Sequence, residues 1–248
     1  MVRRRIAFCL LGLALALLAA CRSAAPTATA LPAATSTPTR AATATITVTP
    51  TPAPPKLEPA GTLARRCDQF QSFATRPMTP GQLAIDFTLK DTKGKAYTLS
   101  KLLAEKPVIM IFGSFTSPPF RQQSAANNDL YKKYGDAVSF ITIYTKEANP
   151  IEQNPAQFSR DAKGTPVTQA KLYDERAAMA AKTIAEAKVA MPVLVDEMDN
   201  PLWCTYGRLP NNAFLIGSDG RIVTRQDWNN AGDLERAINS YLSNYLGR

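Results

Sequence analysis

The chain has 248 residues, 29 Lys and Arg against 20 Asp and Glu, a formal net charge of +9 and no histidine. That length suits one domain with extensions, and 45% hydrophobic residues are enough for a sizeable core. The missing imidazole excludes Ser-His and Cys-His dyads and the commonest metal ligand. The basic excess is spread out without an aromatic-and-basic stripe, so nucleic acid is not an expected partner.

The first residues read as a targeting segment. Arg3, Arg4 and Arg5 precede an apolar run, Ile6 to Ala20, that is too short for a comfortable membrane span. The run ends Leu18-Ala19-Ala20-Cys21, the order of a bacterial lipoprotein signal. Residues 1–20 are therefore expected to be a signal peptide and Cys21 the lipidated residue, which tethers the chain to the extracytoplasmic face of a membrane. An ordinary signal peptide with an incidental cysteine is the alternative, and it too implies export. Residues 21–60 are dominated by Ala, Thr, Pro and Ser. They have little bulky apolar surface to bury, which predicts a disordered, extended stalk. The folded domain is expected over 61–248.

Within that domain strand and helix signals alternate. Phe87 to Leu89, a turn at Lys93-Gly94-Lys95 and the alternation of Tyr97 to Ser100 predict a hairpin. Val108 to Phe112 is a continuous apolar run, as in a central strand covered on both faces. Pro118 and Pro119 favour a helix start, and the helix is expected to stop at Gly135. Val138 to Tyr144 predicts a second core strand, 145–168 a loop, and the Ala-rich 169–189 a helix. Pro192 to Val195 predicts a third strand. Ala213 to Ile216 and Arg221 to Thr224 predict a terminal hairpin through Asp219-Gly220, and 233–246 an amphipathic helix. The arrangement is α/β: a central mixed sheet flanked by helices, in a thioredoxin-like fold. That fold presents its nucleophile where the 108–112 strand meets the following helix, here at Ser117. It commonly holds a cis-proline opposite, and Pro210 is the candidate.

The segment Phe112 to Phe120, FGSFTSPPF, resembles the active-site segment of the iodothyronine deiodinases, a thioredoxin-fold family. Ile143 to Asn149, Leu172 to Arg176, Met191 to Asp196, Asp199-Asn200, Tyr206 to Pro210, Gly220 to Ile222 and Trp228-Asn229 follow the same family in order. The resemblance implies reduction of a carbon–iodine bond by a selenocysteine at the position of Ser117. It implies Glu147 and Asn149 as catalytic positions together with Ser117, and Phe115, Thr116, Pro210 and Asn212 as substrate-binding positions. It also marks departures. Phe115 replaces a cysteine, Asn149 and positions near Ala170 replace histidines, and Asn212 replaces an arginine.

A serine hydroxyl is barely ionised without an adjacent base and does not cycle between redox states. Ser117 as a structural helix cap is the plainer reading. Of the four cysteines, Cys67 and Cys204 remain in the mature chain, either as a disulfide or as two free thiols. No cysteine spacing matches a zinc site. Glu147, Asp196 and Asp199 are candidate acids for a metal or for proton transfer, against a plainer role as caps or solvated strand ends. Phe115, Trp203 and Trp228 are candidate ligand contacts. No cofactor is expected. Two functions stand: a binding or scaffold module without redox catalysis, which takes a small aromatic ligand or a protein partner, and an active oxidoreductase. The latter would use Cys204 or a native selenocysteine or cysteine at position 117.

Overall fold

The computed structural model describes residues 57–59, 61 and 78–246. The expected signal peptide, Cys21, most of the stalk and Cys67 lie outside the described residues.

Seven strands form one sheet in the order β2-β1-β5-β4-β3-β6-β7. They are β1 (Thr88–Asp91), β2 (Ala96–Thr98), β3 (Val108–Gly113), β4 (Ser139–Tyr144), β5 (Val193–Val195), β6 (Ala213–Ile216) and β7 (Ile222–Gln226). The helices are α1 (Leu99–Glu105), α2 (Pro118–Tyr134), α3 (Tyr173–Glu186), α4 (Pro201–Tyr206) and α5 (Ala231–Leu246). The three central strands β3, β4 and β5 run parallel, and β1, β2, β6 and β7 pair antiparallel. The β3-α2-β4 unit with the antiparallel β6-β7-α5 unit at its side is the thioredoxin-like connectivity.

Alternation along each strand sorts side chains to two faces. Ile109, Ile111, Val193, Val195, Ala213 and Leu215 join the cluster beneath α2, α3 and α5. Val108, Met110, Phe112, Leu194, Phe214 and Ile216 join the one beneath α1 and α4. Because both faces are covered, β3 is buried at every position, which is why it reads as an unbroken apolar run.

Several boundaries differ from the sequence pattern. The hairpin is present, but its second strand ends at Thr98 and Leu99 opens α1 instead of continuing the alternation. The Asp86 carboxylate accepts the Ser100 N–H at 3.0 Å and the Ser100 hydroxyl at 2.7 Å, so a residue before the hairpin caps the helix from outside. Helix α3 begins at Tyr173, where Glu175 folds back to accept the Lys171 and Leu172 N–H groups. Residues 157–159 form a 3-10 turn inside the expected loop. Helix α4 carried no periodic signal, since six residues are too few to display one. The peptide bond before Pro210 is trans, contrary to the cis expectation. A prolyl bond prefers trans by default, and here the loop meets Ser117 through the Pro210 carbonyl itself.

Candidate functional site

The site forms at the carboxyl end of β3, where the chain crosses to α2. Gly113 allows the close approach: a Cβ there would lie 2.3 Å from the Phe120 ring, which occupies the space. Ser114, Phe115, Thr116 and Ser117 follow, each at most 1% exposed.

The Thr116 amide and hydroxyl both donate to Glu147 Oε2, at 2.8 and 2.6 Å. Tyr144 donates its phenol to Glu147 Oε1 and accepts the Phe115 N–H at 3.2 Å. Asn149 donates its backbone N–H to Thr116 Oγ1 and its amide to the Thr116 carbonyl. Ala148 N–H donates to Ser114 Oγ, and the Glu147 amide donates to Gln169 Oε1. The turn is thus fastened to the 144–149 segment through Ser114 Oγ, the Phe115 N–H and all three polar atoms of Thr116. Burial pushes the Glu147 carboxyl above its usual range, and the Thr116 hydroxyl, the Tyr144 phenol and the Thr116 amide pull it partly back. Tyr144 is raised as well, first by burial and then by the adjacent Glu147 charge.

Ser117 occupies the N-cap position of α2 in extended geometry, yet its hydroxyl caps nothing. Pro118 and Pro119 fill the first two helical positions, so one of the N–H groups an N-cap side chain ordinarily accepts is missing. The hydroxyl donates instead to the Pro210 carbonyl at 3.1 Å. The expectation of a capping serine is corrected in that respect: the residue sits at the cap and serves as a bridge between two loops. Glu147 is fully engaged by Thr116 and Tyr144, and the Lys146 ammonium lies 5.3 Å from the centre of the Trp203 ring.

Asn212 is buried and donates to the Gly207 and Tyr206 carbonyls at 2.8 and 3.4 Å, which ties the end of α4 to the start of β6. Asp196 is buried and accepts the Leu202 and Trp203 N–H groups, so it caps α4. Burial raises its carboxyl to about 7, against the pull of those N–H groups and of the Arg176 charge. Arg176, itself buried, donates to the Asp196 and Glu197 carbonyls. Among the described residues no group of three or more His, Cys, Asp and Glu could hold a metal. Trp203 is buried, whereas Trp228 is 50% exposed on the loop whose Asn229 N–H reaches the Asn211 carbonyl. Cys204 is disulfide-bonded, and its partner lies outside the described residues.

The structure therefore gathers Phe115, Thr116, Ser117, Glu147, Asn149 and Pro210 at one end of the sheet, and sets Asn212 behind them as a staple. Sequence reasoning did not single out Ser114, Tyr144 or Gln169. Ser114 and Tyr144 lay inside segments that resemble the family without a role of their own, and Gln169 carried no motif.

The sequence profile of the iodothyronine deiodinases matches residues 72–230, well over half of the chain. The chain belongs to the iodothyronine deiodinase family. It is 26% identical over 144 residues to a type I iodothyronine deiodinase of Xenopus laevis, with 58% of this chain and 54% of that protein covered. It is 29% identical over 125 residues to a thyroxine 5-deiodinase of Sparus aurata, with 50% and 45% covered. The matched segments span about half the length of these curated deiodinases. Among solved structures, a thiol:disulfide interchange protein from Chlorobium tepidum superposes with a TM-score of 0.47 at 20% identity, covering 66% of this chain and 99% of that one.

Proposed function

We propose that this deiodinase-family domain performs no redox catalysis at Ser117 and works as a binding or scaffold module, exported and held to an extracytoplasmic membrane face by lipid on Cys21. The observation that carries the reading is the Ser117 hydroxyl. It is buried, and its one hydrogen-bond partner among the described residues is the Pro210 carbonyl. A hydroxyl so placed is neither a ready nucleophile nor a redox centre. Glu147 and Asn149 spend their polar atoms holding the turn, which suits a scaffold.

The test is turnover of the exported chain in insulin-reduction, peroxide and iodoaryl-substrate assays, beside S117C. The serine form is expected to be inert in all three, and turnover by it overturns the reading. S117C is expected to gain thiol reactivity without deiodination, because Phe115, Asn149, Ala170 and Asn212 are still in place. A selenocysteine triplet encoding position 117 would overturn the reading at once. Fatty-acid labelling of the chain, lost in C21S, tests the anchor.

A further inference from the structure

A cleft of about 510 Å³ opens between the first half of α2, the end of α3 and the 157–159 turn. Pro118, Ala187 and Phe158 give it apolar walls, and Arg121 and Lys188 stand on its lining opposite one acid, Glu186. Glu186 already accepts the Ala162 N–H at 3.1 Å. A second cleft of about 390 Å³ shares Arg121 and Phe158 and adds Arg160 and Asp161, the latter paired with Lys182. The size suits a small organic molecule.

The Arg121 side chain and the Lys188 backbone are each held in place. The Arg121 guanidinium lies 5.0 Å from the centre of the buried Phe115 ring, whereas the Lys182 ammonium, 5.7 Å from the same ring, is paired with Asp161 and does not line the cleft. Stacking on the ring fixes the planar fork of Arg121, and a fixed fork loses less entropy on pairing with an oxyanion. Lys188 sits just past α3 at φ +53, a conformation in which glycine is the usual residue. Asn128 on α2 holds it there, donating to the Lys188 carbonyl at 2.7 Å and accepting the Ala190 N–H at 2.9 Å. A lysine in that backbone state is retained at a conformational cost, which directs attention to its side chain.

We propose that this cleft binds an amphipathic organic anion, with a carboxylate or sulfonate head on Arg121 and Lys188 and a flat apolar body against Phe158 and Pro118. The assignment rests on the reading of the domain as a binding module and supplies its ligand class.

The probe is 8-anilinonaphthalene-1-sulfonate, titrated by fluorescence into the full chain. Binding is expected to include a saturable site that F158S and R121Q/K188Q each weaken at least about tenfold, the scale of one lost charged or aromatic contact. N-phenyl-1-naphthylamine, which lacks the sulfonate, is expected to bind that site at least about tenfold more weakly. K188G separates site from fold: it relieves the left-handed backbone, so the melting temperature is expected to hold or rise while dye affinity falls severalfold. Dye binding unchanged in F158S and K188G, or equal affinity for the neutral analogue, overturns the assignment. Turnover by the serine form in the redox assays would defeat the non-catalytic reading and leave these affinities as they are, so the two failures are distinguishable.

Discussion

Ser117 and Thr116 are adjacent and both buried, and their hydroxyls do different work. Thr116 supplies a donor to a carboxylate that burial has already made costly to ionise, and an acceptor to the Asn149 backbone N–H. T116V keeps the shape and removes both functions. It is expected to lower unfolding free energy by about 2–3 kcal/mol, since it leaves Glu147 and Asn149 short of buried partners. Urea denaturation reads this directly, and a loss no larger than that of an exposed threonine would show that the clamp contributes nothing. These roles were only partly legible. Glu147 and Asn149 stood out through the family resemblance, as neighbours of a reacting atom. That they face Thr116 instead depends on how the 144–149 segment passes the 114–117 turn, and no local pattern encodes that pass.

Helix α4 has six residues and depends on groups outside itself. Asp196 caps its start and Asn212 fastens its end, where Gly207 leaves the helix at φ +122. Burial raises the Asp196 carboxyl from 3.8 to about 7. Between about pH 4 and about pH 7 the folded chain therefore keeps a proton there that the unfolded chain has released, so stability falls as pH rises through that window. Below it both forms are protonated, and above it both are ionised. A shift of about three units corresponds to about 4 kcal/mol at most. D196N is expected to make the loss of stability between about pH 5 and pH 8 clearly smaller, as measured by denaturant unfolding. Glu147 is raised too and would leave a residual decline of the same sign. An unchanged slope in D196N would assign the whole effect elsewhere. The sequence marked Asp196 as a strand-end acid with two possible roles, and its place before an uncapped short helix decided between them.

At the scale of the whole molecule, Cys204 is cross-linked to a residue outside the described segments. Cys67 is the one other cysteine the sequence reading leaves in the mature chain, and peptide mapping without reduction should recover a Cys67–Cys204 pair. A bridge of that span restrains the unfolded chain, so dithiothreitol or C204S is expected to lower stability by about 2–4 kcal/mol. An unchanged melting temperature after reduction would show that the bridge carries no stability. The order of the strands and of the three longer helices, the buried central strands and the family were readable from the chain alone, because hydrophobic periodicity, proline and glycine punctuation and short motifs in register are local properties of sequence. Tertiary structure decided the rest. The Ser117 hydroxyl turned to the Pro210 carbonyl, the Thr116–Glu147 clamp and the capping of α1 by Asp86 all join residues distant in sequence. The sequence by itself determined that a serine stands where this fold displays its chemistry. Only packing determined that the serine is closed off, because a buried hydroxyl is satisfied by whichever carbonyl the neighbouring loop brings to it.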